Sequence, residues 1–492
     1  MVPPSPNLLA APLFSVLFCA QAAHAREPSP WPAHAAWSPA ASPPPQAAET
    51  APLPVAVLPT EAPAPARVPR SAPDASLPTT PAHAAEPFAF GDFTWLNGTS
   101  RQTKPLLDTE YFTGSFVLDV NYTLADVTPR DHTVVGSTSL SRANEFTLNR
   151  VGFGGDFHHG AARGRLMTQF GMRSTVVPRN DTSVSRGQYG LDTAMRYLSE
   201  AYGGYHADVM HGLNVDVGLF MSYVGLFSYD NFENWAYQPS FTSDNTPWFF
   251  NGVRAQLFPS DKLKLELWLI NGWQSYGKFN EMPGAGYQVL WRPSDRFSVL
   301  SNGYVGFDTG NKPGRVRVHS DNSAQYKYYQ GGGMFERAAV SLTADLGFEQ
   351  GEGVTAFGGE GGPAQNFVSA MAYHRAWFGQ SHFGWTFGGG FINNPGRYLV
   401  LVPPGEAAKS FDTSPGTAFS GWDASTTFDF MPDQYQTWRL ELVHREASVP
   451  YFAGRGGVTS PDGFATTALP ADWKPDQRKA ETRLIAALLL RF

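Results

Sequence analysis

Cysteine is almost absent: Cys19 is the only one in 492 residues. It falls in a segment expected to be removed on export, so neither a disulfide framework nor a cysteine metal site is open to the mature chain. Charge is scarce as well. Only 16% of residues are Asp, Glu, Lys or Arg, and a net charge of -7 with a pI near 5.9 lacks the basic excess that phosphate binding needs. Nucleic acid is excluded as a partner on that ground. No apolar run reaches the ~18 residues of a membrane-spanning helix. Catalytic signatures are missing too, with neither G-x-S-x-G nor H-E-x-x-H in the chain. His158 and His159 lack a spaced third ligand for a metal, and the glycines of 152–155 and 351–362 belong to no strand-to-helix unit that would cradle a phosphate. Beside Asp321, Asn322 and Ser323 stands His319, a pairing that suggests a barrel hydrolase but that chance explains better. No catalytic, cofactor-binding or metal-binding residue is expected, and no enzyme.

What is present begins with export. Residues 8–20 form an uncharged apolar run, and Ala23-His24-Ala25 supplies a small-x-small cleavage pattern, so residues 1–25 read as a signal peptide. Phe18 stands before Cys19 where a lipoprotein needs a small residue. Residues 26–90 are rich in Ala and Pro with almost no apolar periodicity. Such a segment cannot bury a core, and it reads as a disordered, semi-rigid periplasmic linker able to extend toward the cell wall.

Residues 91–492 differ in kind. Glycine (49 residues) and aromatics (14%) are abundant, a mixture that disfavours helices. From about Thr109 onward, apolar and polar residues alternate in segments joined by turns that are short and long by turns. Leu213, Val215, Val217, Leu219, Met221 and Tyr223 share one face; Asn214, Asp216, Gly218 and Ser222 share the other. About sixteen such segments are expected, centred near 116, 151, 168, 200, 218, 254, 267, 289, 302, 326, 343, 372, 387, 424, 442 and 487. The last, TRLIAALLLRF, ends on Phe492 with Leu490, Leu488, Ala486 and Leu484 on its face, and about eleven residues is the length of a tilted spanning strand. An even strand number with alternating turn lengths puts both termini and all short turns at the periplasmic end. In lipid an open sheet edge leaves unpaired amides, so the sheet must close. The expected fold is all-β, a closed antiparallel transmembrane β-barrel of about sixteen strands preceded by a disordered Pro-rich segment. Trp95, Tyr122, Tyr223, Trp248, Trp273, Trp291, Trp385, Trp422 and Trp438 fall near strand ends as an interfacial girdle would place them, with Trp268 pointing inward by parity.

The stretch KLKLELWLINGWQSYGKFNEMPGAGYQVLWRP at 262–293, with FENWAYQ at 232–238, FINNPGRYLVLVPP at 391–404 and VPYFAG at 449–454, resembles the putative β-barrel porin-2, or OmpL-like, family of bacterial outer-membrane proteins. The resemblance covers roughly 94–492 and implies a porin-like barrel. It carries over no defined binding residues. The terminal Phe492, with Leu488 and Leu490, resembles the signal by which the barrel-assembly machinery recognises its clients.

Inward parity selects Arg163, Arg165, Asp216, Lys262, Lys264, Glu266, Arg315, Arg317, Asp345, Arg439, Glu441 and Arg445 as lumen residues able to set ion preference. Two readings of the arginines stay open: free cations that favour anions, or wall residues paired with carboxylates. The aromatic and acidic connection 225–248 either folds inward as a constriction or packs on itself at the surface. The expected function is an outer-membrane porin passing small hydrophilic solutes. The alternatives are a barrel hydrolase, or a structural or adhesive barrel with a wall-directed arm. Outer-membrane lipid, the assembly machinery, solutes and, by analogy with trimeric porins, other copies of the chain are the expected partners.

Overall fold

A computed structural model describes residues 86–492 apart from 182, 184 and 185. The signal peptide and all but the last five residues of the linker lie outside the described residues. Sixteen strands form the wall: β1 (Phe112–Ala125), β2 (Phe146–His159), β3 (Ala162–Thr168), β4 (Leu198–Ala207), β5 (Leu213–Met221), β6 (Phe249–Ser260), β7 (Leu263–Ile270), β8 (Gly284–Ser294), β9 (Phe297–Gly306), β10 (Val316–Gln330), β11 (Phe335–Gln350), β12 (Asn366–Phe378), β13 (Phe383–Asn394), β14 (Phe419–Phe430), β15 (Gln436–Ala447) and β18 (Ala480–Arg491). Two short strands, β16 (Phe452–Ala453) and β17 (Gln477–Arg478), pair within the last long connection. Each wall strand is antiparallel to its sequence neighbour, and β18 pairs with both β15 and β1 to close the barrel. All sixteen expected centres fall inside these strands.

Period-two alternation sorts the faces, because successive side chains of a strand point to opposite sides. Along β15, Thr437, Arg439, Glu441, Val443 and Arg445 are buried toward the interior, while Trp438, Leu440 and Leu442 are about half exposed on the outer surface. A polar interior with an apolar outside inverts the soluble pattern and fits a wall bathed in lipid. Closure leaves no strand edge unpaired. At the seam Phe492 and Phe116 exchange backbone hydrogen bonds of 2.9 Å, and their rings stack with centroids 6.0 Å apart.

Five of the nine expected girdle residues are where an interface would place them, one being Tyr122, half-buried on the outer face of β1. Trp291, Trp385, Trp422 and Trp438 are exposed on the outer face. Trp95, Tyr223, Trp248 and Trp273 are instead buried inside, with Trp268. Closeness to a strand end was the signal for all of them. It fails where a connection turns into the bore, because the aromatic then meets the interior rather than the lipid.

Candidate functional site

Two segments run across the interior, alongside other inward stretches such as 131–140. The first is the connection 222–248 between β5 and β6, whose aromatics are too apolar to lie in water and whose acids need partners. It crosses the bore to the opposite wall. Its Tyr237 hydroxyl donates to Asp119 of β1 at 2.6 Å and accepts from Asn121 at 2.8 Å and Asn149 at 3.2 Å. The backbone N–H groups of Tyr237 and Gln238 donate to Glu441 of β15 at 2.5 and 2.8 Å, and Thr427 donates to the same carboxylate at 2.7 Å. A one-turn helix, Phe241–Asp244, starts at Ser240, whose hydroxyl donates to Asp423 of β14 at 2.8 Å. Charge fixes the loop further: Asp230 pairs with Arg150 of β2, Glu233 with Arg491 of β18, and Asp244 with Arg445 at 2.9 Å. Of the two readings of this connection, the inward one holds.

The second segment precedes β1 and forms a strap across the short-turn end. Phe88 N–H donates to the Asp261 carbonyl in the β6–β7 turn at 2.7 Å, and the Trp95 indole donates to the Asp295 carbonyl in the β8–β9 turn at 2.9 Å. Asn97 then bridges the middle: its N–H donates to Gln325 of β10 at 2.8 Å, and its side-chain carbonyl accepts from Trp235 N–H of the inward loop at 2.8 Å. Thr103 N–H finally donates to Gln434 in the β14–β15 turn at 2.8 Å. The β6–β7 and β14–β15 turns lie eight strands apart in a sixteen-strand ring, so the strap spans the mouth. Gly98 (φ 74°) makes this passage possible, since a Cβ there would strike the Leu226 carbonyl of the loop. Phe88 and Phe90, counted with the linker on composition, also contact the barrel: Arg292 lies 4.9 Å over Phe88, and Lys262 lies 5.1 Å over Phe90. Strap, loop and wall share one hydrophobic cluster containing Trp95, Leu96, Phe227, Trp235, Trp248, Tyr373 and Trp377.

The predicted lumen charges are compensated almost throughout. Asp216 is fully buried and pairs with Arg163 at 3.3 Å and Arg254 at 2.7 Å. Arg165 bridges Asp156 at 2.5 Å and Glu200 at 2.6 Å, and Lys264 holds Glu266 at 2.5 Å. Near the long-loop end Arg315 pairs with Glu349 at 3.5 Å, and Arg317 with Glu349 at 2.7 Å and Asp308 at 3.0 Å. Arg439 pairs with Asp429 at 2.7 Å. Lys262 is the misplaced one: it lies exposed in the β6–β7 turn, where β6 has ended and strand parity no longer sets direction. Asp345 is inside and fully buried, with no ion pair. Ser323 shares its hydrogen bond with Thr343 at 2.8 Å, and His319 packs against Trp273 with centroids 4.2 Å apart, so the two do not form a nucleophile and base.

Sequence reasoning passed over Arg150, Arg375 and Asp429, whose inward parity was readable, and over the strap residues Asn97 and Arg101, which carry no periodicity; it placed the strap's Trp95 in the girdle. Beside the strap lies a cavity of about 220 Å³ lined by Asn97, Tyr223, Trp248, Gln288, Arg292 and Gln325. The interior is therefore constricted but not solid.

The family model described as "Putative beta-barrel porin-2, OmpL-like" matches residues 111–471. The chain belongs to this family and is an outer-membrane barrel of the porin kind. No curated protein matches it. Among solved structures it is similar to the outer membrane channel DcaP of Acinetobacter baumannii (12% identity, 81% of this chain and 100% of that one, TM-score 0.45). It is also similar to an anion-selective porin from Comamonas acidovorans (11%, 77% and 99%, 0.45) and to OprB of Pseudomonas putida (12%, 77% and 94%, 0.45). Likeness at this distance carries no function.

Proposed function

We propose that the protein is a narrow porin, passing small hydrophilic solutes by diffusion around a fixed inward loop, with no enzymatic activity. The observation that carries this reading is the loop 222–248 held across a polar-walled bore by both hydrogen bonds and ion pairs. Charge in such a bore acts on passing ions only where it is uncompensated. Arg315, Arg317, Arg439 and Arg445 each hold a carboxylate, so the reading includes no anion preference from them. The same proposal assigns the short-turn end, the strap and the Pro-rich segment to the periplasm, and assigns Phe492, Leu490 and Leu488 to recognition during assembly.

Single-channel recording of the purified full-length protein in planar bilayers tests it. Small conductance steps are expected, with a reversal potential under a salt gradient that does not move when Arg315 and its partner Glu349 are replaced by Gln together. Absence of any conductance would favour a structural barrel instead, a reading supported by the strap that spans one mouth.

A further inference from the structure

On β8, Trp291 is exposed on the outer face, so parity turns the next residue, Arg292, inward. There it lines the cavity of about 220 Å³ beside the strap. The interior arginines Arg150, Arg317, Arg375, Arg439 and Arg445 each hold a carboxylate. Arg101 and Arg173 have no ion pair but donate to backbone carbonyls, Arg101 to Asp433 and Gln436, Arg173 to Thr138 and Tyr229. Among the described residues, Arg292 has neither a carboxylate nor a carbonyl for its guanidinium.

What it does have is aromatic. The rings of Phe88 and Phe93, both from the strap, lie 4.9 and 4.6 Å from its guanidinium. A ring face attracts the cation but offers no oxygen to its N–H groups. Its Nε is buried without a partner, which leaves the fork of terminal nitrogens as the edge open to a ligand. No acid lines the cavity to answer that charge. The polar lining is neutral, including Thr99 of the strap, Gln288 of β8 and Ser298 of β9, and the rest includes Leu226 of the loop with Leu290 and Leu300 of the wall. The cavity thus presents one positive charge, no negative one, and an apolar side.

A planar fork of N–H donors suits a carboxylate, which it can take through two parallel hydrogen bonds. An apolar cavity of about 150 Å³ admits benzene, so this one has room for a carboxylate with a body of that size. We propose that the cavity is a binding subsite for small monocarboxylates, with Arg292 taking the charged end and Leu226, Leu290 and Leu300 receiving the apolar body. The inference deepens the porin reading by naming a solute class and the residue that selects it. It rests on that reading for passage and not for binding.

Full-length protein in detergent is titrated calorimetrically with benzoate, with its uncharged amide benzamide, and with inorganic phosphate, which has charge but no apolar body. Benzoate should saturate a single site and bind roughly tenfold or more tightly than either of the others, since charge-assisted bonds and apolar burial act together only on it. Arg292→Gln should weaken benzoate by roughly tenfold or more and leave benzamide unchanged, and Arg292→Lys, with the charge but not the fork, should fall between. Should Arg292→Gln not fold, Leu300→Phe keeps the arginine, fills the apolar side and should likewise weaken benzoate. In planar bilayers under a sodium benzoate gradient, Arg292→Gln should move the reversal potential toward sodium preference. The proposal is overturned if benzoate binds no better than benzamide or phosphate, if Arg292→Gln binds it like the native protein, or if a conducting barrel keeps its reversal potential in that variant. Benzoate binding to a barrel that does not conduct would support the subsite and remove the porin reading alone.

Discussion

On the wall built from β12, β14 and β15, Asp429 takes Arg439 at 2.7 Å and Arg375 at 2.8 Å, and Glu441 takes two backbone N–H groups of the inward loop. On the wall built from β9 to β12, Asp321 and Asp345 face each other with neither an arginine nor a lysine in their row. Both walls bury charge to the same degree, yet one supplies its counter-charges from within the fold and the other does not. The paired wall is the one the loop leans on. A buried charge costs several kcal/mol unless partnered, so the loop's acids and amides are part of that wall's electrostatics and not merely an obstruction in the bore.

The sharpest way to break the contrast is to unbalance the paired wall. Asp429→Ala would leave Arg375 and Arg439, both buried, without their shared carboxylate. Removing one partner of a buried pair typically costs roughly 3–5 kcal/mol. Guanidinium unfolding in detergent should register a loss of that order. Asp345→Asn should shift stability the other way, since it removes one of two facing buried acids that have no arginine or lysine in their row. If both variants lose stability equally, the two walls are not different in kind.

How far this division was legible from the sequence depends on what each feature is made of. Strand positions follow from a period of two, a local pattern, and so the alternation Trp438, Arg439, Leu440, Glu441 already tells lipid from lumen. Closure follows from the cost of unpaired amides. Whether Arg439 is free or paired depends on Asp429, ten residues away across a turn, and on register, which only the assembled sheet fixes. Asp321 and Asp345 are likewise neighbours through register alone. The strap is hardest of all, since residues 86–104 have no repeat to read and take their place from turns hundreds of residues distant. Local chemistry marked the connection 225–248 as unusual, because five aromatics among three acids are poor company for water, but it left the inward and the self-packed readings open until the partners on β1, β14 and β15 were in place.

A third case lies outside the wall and sharpens the contrast. Asp181, in the connection between β3 and β4, is buried and accepts from Ser183 N–H at 2.9 Å and from its hydroxyl at 2.7 Å. Burial pushes its carboxyl up to about 6, against which these hydrogen bonds only partly work. A raised carboxyl means that the folded connection binds the proton more tightly than the unfolded one. Its stabilising contribution is therefore complete below the ordinary value of 3.8 and is lost as pH rises through about 6. A shift of that size corresponds to about 2–3 kcal/mol. Limited proteolysis of the connection should accelerate between about pH 4 and pH 7 in the native protein, and Asp181→Asn should abolish the dependence. A lone buried acid answers with a proton, where Asp429 on the paired wall answers with two arginines.

The smallest effect should come from the hinge between the paired wall and the loop. Tyr237→Phe deletes one hydroxyl that donates to Asp119 and accepts from Asn121 and Asn149. Asp119 keeps Asn149 at 2.8 Å and Asn231 at 2.9 Å, so the carboxylate is not stranded, and the main loss is the amide of Asn121. About 1–2 kcal/mol is the expected cost, since a buried donor loses its acceptor while most of the network survives. The loop remains fixed by Glu441 and by Arg445 on Asp244, so it should loosen at its Tyr237 end without leaving the bore. In bilayer recordings the variant should keep the mean conductance of the native barrel and gain current fluctuations. A large, steady rise in conductance would mean instead that the loop is held by this one hydroxyl, and that the ion pairs of the wall do not fasten it.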